Sequence, residues 1–222
     1  MEQQTKTAII AGATGLVGEQ LLSLLLEDPC YGKVIAVVRR ELGTVHPKLV
    51  QMVVDFGKLP EGLNGIQADH GYCCLGTTLK VAGSKERQYV IDHDYVVAFA
   101  RECHLAGVSS FAVVSSVGAN PNSSNFYLRT KGEMERDIQK FPFASIVILQ
   151  PSFLLGNRKE FRAGEKAGIA LMKALSPLMI GGLKKYRGVQ AEVVAKCMIR
   201  NIQSDITGIK IIRSDMIIQE VK

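Results

Sequence analysis

A glycine string set between a short apolar run and an amphipathic one constrains this chain most. Thr7 to Ala11 is β-like. Gly12-Ala13-Thr14-Gly15-Leu16-Val17-Gly18 follows, and Val17, Leu21, Leu24 and Leu25 then recur at helical spacing. A strand that turns into a helix through GxxGxxG has few ways to fold. Gly12 suits the tight turn, Gly15 admits an anion to the backbone, and Gly18 lets helix and strand pack closely. Glycine strings are common, and a bare tight turn is the alternative. The position of this one, after a first strand and at a helix start, reads as a pyrophosphate loop whose backbone amides point at the anion.

The rest of the chain repeats the strand–helix alternation. Further β-like runs are Val34–Val38, Leu49–Val54, Gly71–Leu75, Phe111–Val114, Ala144–Leu149 and Gly208–Ile212. Between them, Tyr89, Val96, Ala100 and Cys103 share one face of a long helix ending near Gly107. Tyr127–Lys140 and Val189–Ile202 read as two more helices. The runs do not alternate apolar with polar, which suits strands buried on both faces of a parallel sheet. The expected class is α/β: a Rossmann-type doubly wound parallel sheet. A chain of 222 residues that is 47% hydrophobic can bury one sizeable core, so residues 1–222 are expected to form a single domain. Residues 151–188 are its lid or substrate-side segment.

Composition excludes other classes. Five cysteines without CxxC spacing make neither a disulfide framework nor a zinc site, and they suit a reduced, cytoplasmic protein. The net charge of +6 is too small and scattered to point to nucleic acid. The apolar stretch 168–183 is broken by Lys173, Pro177 and Gly181-Gly182, so no membrane span is expected.

The second β-like run ends in Arg39-Arg40. A dinucleotide fold that binds NAD places Asp or Glu about 20 residues after the glycines; arginine there suits a 2′-phosphate. The expected cofactor is therefore NADP(H). Asp55, at the end of the third run, has two readings of equal standing: an acceptor for an adenine amine, or a turn residue. Leu75-Gly76-Thr77 ends the fourth run, where ligands bind in this fold, and Gly76 would let a cofactor pass close to the backbone.

The fifth run leads into Ser115-Ser116, and Tyr127 precedes Lys131 in a YxxxK. Positions i and i+4 share a helix face, so both side chains can reach one ligand. Hydride addition to a carbonyl builds charge on oxygen, and a phenol beside a cation is a suitable proton donor. Tyr127 is the expected donor, Lys131 the cation, and Ser116 the group that holds the carbonyl oxygen, with Ser115 the fallback if the strand register differs.

These residues resemble the short-chain dehydrogenase/reductase superfamily, and within it the oxidoreductase HIV Tat-interacting protein family, an atypical branch. The resemblance runs from Ala8 to about Met198. It includes VVDF at Val53–Phe56, CCLGTT at Cys73–Thr78, SSNF at Ser123–Phe126, KGE at Lys131–Glu133, and the rarer Arg158–Glu165 stretch. It implies an NADPH-binding domain in which Thr14, Gly15, Leu16 and Val17 cradle the pyrophosphate and Arg39 and Arg40 hold the 2′-phosphate. Leu75 and Gly76 would line the groove, Tyr127 and Lys131 would meet the nicotinamide end, Leu154 would cover it, and Arg162 would reach the phosphates. One departure stands out. Many reductases of the superfamily carry a helix Asn that anchors a proton-relay water, whereas this helix reads Asp92-His93-Asp94.

The function expected is NADPH-dependent reduction of a small carbonyl substrate. The alternatives are an NADPH-binding regulatory module that docks a protein partner, and an epimerase-type enzyme with resident NAD, against which Arg39 argues. Superfamily analogy adds a homodimer through the two long helices. His46, His70, His93 and His104 lack ligand spacing. The Lys184–Arg187 cluster reads as a solvated face, and the stretch 169–180 as a lid or dimer-packing helix.

Overall fold

The computed structural model describes residues 5–59, 63–156, 188–204 and 206–221. Its strands are β1 (Lys6–Ala11), β2 (Tyr31–Val38), β3 (Leu49–Val53), β4 (His70–Cys73), β5 (Ser110–Val114), β6 (Ser145–Gln150), β7 (Leu154–Leu155), β8 (Val189–Gln190) and β9 (Gly208–Arg213). Its helices are α1 (Leu16–Glu27), α2 (Leu79–Ala82), α3 (Lys85–Tyr89), α4 (Tyr95–Leu105), α5 (Phe126–Ile138), α6 (Ala191–Ile202) and α7 (Ser214–Gln219).

Seven strands form one sheet in the order β3-β2-β1-β4-β5-β6-β9, and every pairing in it is parallel. The strand order reverses between β1 and β4, the switch point at which ligands bind in such sheets. The fold is the Rossmann-type single domain that the strand–helix alternation predicts. β7 and β8 make a separate parallel pair.

Burial explains the lack of alternation in the strands. All six residues of β6 and the last five of β2 are buried, because helices cover both faces of the sheet. On one face α1 and α6 pack over Ile10, Ala36, Ala112 and Val147, with Leu21 and Leu25 of α1 fully buried. On the other, α4 and α5 pack over Ile9, Ile35, Val113 and Ile148, through Phe99 and Met134. Cys73 and Cys74 divide between the two faces, and all five cysteines are free thiols.

Two expectations on the helices are corrected. The long helix runs unbroken from Lys85 to Leu105, but it is not α-helical throughout: α3 and α4 are joined by a π-helical turn, Val90–Asp94. The extra residue per turn rotates what precedes it out of phase. Val96, Ala100 and Cys103 are buried together, while Tyr89 leaves that face and stacks on His93 at 4.7 Å. The last expected helix begins at Ala191, because Val189 and Gln190 pair with β7.

Candidate active site

The site is assembled at the carboxyl ends of β1, β4 and β5. A cleft of about 1650 Å³ opens there. It is lined by Thr14, Gly15, Leu16 and Val17 of the glycine loop, by Arg40 after β2, and by Leu75, Gly76 and Thr77 after β4. Ser115, Tyr127, Lys131 and Leu154 complete the same wall.

The loop geometry follows from its glycines. Gly12 has φ +83°, and a Cβ there would come within 2.5 Å of the Cys74 carbonyl carbon. The turn therefore lies flush against the end of β4. A Cβ at Gly18 would strike the Gly12 carbonyl oxygen, so α1 starts directly on the turn. Neither glycine lines the cleft; both shape it. Gly15 occupies the cap position of α1, and no side chain caps the helix. First-turn amides are thereby left facing the cleft, where an anion can take them. This loop, the uncapped helix and Arg40 fit a dinucleotide phosphate. When bound, a nicotinamide cofactor would supply or accept a hydride.

The two arginines separate. Both are exposed, but Arg40 alone of the pair lines the cleft. Asp55 does not line it. Its Oδ1 accepts the Gly57 amide at 2.9 Å and caps a short 3-10 turn, so the turn reading is the one this geometry supports.

The serines also separate. Phe111 and Val113 of β5 face the cluster under α5, whereas Ala112 faces the other. Pairing with the β6 side continues past the strand, since the Ser115 amide bonds Leu149 O at 2.7 Å and the Val117 amide bonds Pro151 O at 3.0 Å. Ser115 keeps the odd-numbered side, toward α5 and the cleft. Ser116 does not line the cleft. The fallback serine, Ser115, is therefore the one that lines the cleft with Tyr127 and Lys131.

On α5, Tyr127, Lys131 and Glu135 stand at i, i+4 and i+8. Lys131 is only 3% exposed. Burial disfavours its charge, but Asp92, Tyr127, Cys73 and Glu135 outweigh that, and its pKa is raised. Glu135 is buried behind Ser115, and Gln150 Nε2 donates to both its oxygens at 2.9 and 3.0 Å. Burial raises the Glu135 pKa, opposed by Ser115, Gln150 and Lys131. Asp92, at the π-helical turn, is fully buried, and its Oδ1 accepts the Thr77 amide at 2.6 Å. Sequence reasoning missed Glu135 and Gln150. The i+4 spacing of Glu135 from Lys131 was the available signal; Gln150 carries none.

Arg162, the Lys184–Arg187 cluster, the stretch 169–180 and most of the expected lid at 151–188 lie outside the described residues. Among the described residues, no helix is long and apolar enough to cross a membrane.

The comparisons with known proteins agree with this architecture. No family model matches the chain. The protein MoeE5, solved with UDP-glucose and NAD, has the same fold: TM-score 0.67 at 16% identity, over 93% of this chain and 75% of that one. WbmG of Bordetella bronchiseptica, solved with NAD, superposes with a TM-score of 0.69 at 12% identity, over 96% of this chain and 74% of that one. Among curated sequences, a protein FMP52, mitochondrial, of Eremothecium gossypii is 31% identical over 97% of both chains. That of Candida glabrata is 37% identical over 72% of this chain and 68% of its own. These names overturn the cytoplasmic expectation; reduced cysteines do not distinguish one reducing compartment from another. Protein HTATIP2 of Rattus norvegicus is 33% identical over 93% of this chain and 85% of its own. With that identity over most of both chains, the chain belongs to the oxidoreductase HIV Tat-interacting protein family, an atypical branch of the short-chain dehydrogenases/reductases.

Proposed function

We propose that the protein is an NADPH-dependent reductase of a small carbonyl substrate. One observation carries this reading: Ser115, Tyr127 and Lys131 line the same cleft as the glycine loop. Thr14, Gly15, Leu16 and Val17 would hold the pyrophosphate, Arg40 the 2′-phosphate, and Leu75, Gly76, Thr77 and Leu154 the groove toward the nicotinamide. Arg39 would add charge from outside the cleft wall. Ser115 orients the substrate carbonyl. Tyr127 gives its proton to the oxygen as charge develops there, and the buried Lys131 ammonium supplies the field that favours the transfer.

The Tyr127→Phe variant tests this. It should abolish turnover across a carbonyl panel and leave NADPH affinity within about threefold, because the ring is kept and only the hydroxyl is lost. Turnover near the wild-type rate would remove the mechanism.

A second reading, an NADPH-loaded module that docks a protein partner, is favoured by Asp92 standing where many reductases carry Asn. It requires tight NADPH binding with no turnover of any panel member. Partner affinity should then differ between protein loaded with NADPH and protein without cofactor.

A further inference from the structure

Lys131 is buried on a helix that offers it no direct ion pair among the described residues. A buried ammonium without compensation is costly, so the surrounding charges matter. Four titratable groups face it: Asp92 from the π-helical turn, Cys73 from β4, and Tyr127 and Glu135 from its own helix. Cys73 is buried and burial pushes its thiol up to about 12, which keeps it neutral. Burial likewise favours the neutral form of Glu135.

Burial also raises the Asp92 pKa, opposed by Lys131, the Thr77 amide and Gln88, but Asp92 acts on Lys131 more strongly than the other three groups do. Its Oδ1 holds the Thr77 amide at 2.6 Å, and a buried Gln88 lies beside it. Its Oδ2 is buried and closes no hydrogen bond of good geometry. Gly76 marks the relation to Lys131. A Cβ built on Gly76 would lie 3.6 Å from Asp92 Oδ1 and 3.6 Å from Lys131 Nζ. The carboxyl and the ammonium therefore flank one glycine at the end of β4, on the cleft wall. The π-helical turn carries Asp92 inward to this place, while Asp94, two residues on, remains exposed.

We infer that Asp92 is a positioning residue: its carboxylate is the buried counter-charge that keeps Lys131 protonated and ties the Gly76–Thr77 segment to the catalytic helix. An Asn at this place could accept the Thr77 amide, but it could not balance the ammonium. The inference rests on the reading of Lys131 as a cofactor-facing group. It adds that the charge of Lys131 is set from a different element, through Asp92 of the π-helical turn.

The test is a double-mutant cycle on the full chain, with Asp92→Asn, Lys131→Met and the double variant, read by thermal unfolding without cofactor. Each single change leaves one buried charge uncompensated and should lower Tm by roughly 10 °C. The double variant should melt closer to wild type than either single. Losses that simply add would overturn the inference. An Asp92→Asn chain that fails to fold while the double variant folds supports it; a double variant as damaged as the sum does not. The second readout is NADPH affinity against pH. Wild-type protein should hold its affinity to about pH 10, because Lys131 is charged until above the ordinary lysine range. In Asp92→Asn, burial dominates and the Lys131 pKa falls, so affinity should drop about tenfold by pH 9. Superimposable profiles would refute the counter-charge. If wild-type protein binds no NADPH, the reductase reading fails while the unfolding cycle still decides the Asp92–Lys131 coupling.

Discussion

Pairs of adjacent residues in this site look equivalent in sequence and are not. Arg39 and Arg40 differ in that Arg40 lines the cleft. A charged hydrogen bond to a phosphate contributes about 1.5–3 kcal/mol. Arg40→Ala should therefore weaken NADPH binding by roughly 10- to 100-fold and leave NADH binding nearly unchanged. Arg39→Ala should cost a fewfold at most, and fluorescence titration of both cofactors measures each. Wild-type protein should prefer NADPH by at least about tenfold. Ser115 and Ser116 form the second pair. Ser115→Ala should lower kcat by roughly 100- to 1000-fold, the usual loss for a single oriented donor. Ser116→Ala should leave kcat within about threefold, and equal losses would reverse the register argument.

The elements matter through how closely they approach one another. α1 can begin directly on the glycine turn only because Gly18 has no side chain beneath it. Gly18→Val should push α1 off the turn, lower stability by at least about 1–3 kcal/mol and abolish NADPH binding. A wild-type-like melt with normal affinity would show that the helix can shift freely. α5 is held against the π-helical turn by a charged cluster. His93 bonds Asp137 at 3.0 Å and Asp94 at 2.8 Å, while Arg136 and Lys140 also reach Asp137. The Arg136 hydrogen bond, with help from Lys140 and His93, holds the Asp137 carboxyl well below the usual carboxylate range. The cluster thus joins the two segments that carry Asp92 and Lys131.

Across the whole molecule the two ends of the sheet do different work. The carboxyl ends carry the cleft, and the amino ends carry a closed polar chain. Lys6 Nζ donates to His70 Nε2 at 3.1 Å, which leaves Nδ1 to donate to Tyr31 Oη at 2.7 Å; Tyr31 in turn meets Tyr72 Oη at 2.6 Å. Burial, aided by Lys6 and opposed by Asp69, lowers the His70 pKa from 6.5 to about 4. Between those values the unfolded chain binds more protons than the folded one. Stability is therefore full above pH 6.5 and falls as pH drops toward 4, by on the order of 2–3 kcal/mol from this group. His70→Gln should flatten that part of the curve in denaturant titrations at pH 7, 5.5 and 4.5. An unchanged slope would place the acid sensitivity elsewhere.

The parallel, helix-covered sheet could be read from the residues because the central β-like runs are apolar almost throughout, as strands buried on both faces are. The glycine string likewise specified its own turn, since only absent side chains permit that approach. The i and i+4 spacing placed Tyr127 and Lys131 together, because a helix face is a local property. Which of two neighbouring residues faces the ligand was not legible. It depends on strand register for Ser115 and on the course of the loop after β2 for Arg40. Asp92 was visible only as a departure from a pattern. Its meeting with Lys131 beside Gly76 joins three segments distant in sequence, and it depends on a π-helical turn that periodicity misreads as uniform α-helix. Local geometry follows from neighbouring residues; the charge balance of a buried site follows from groups that only packing brings together.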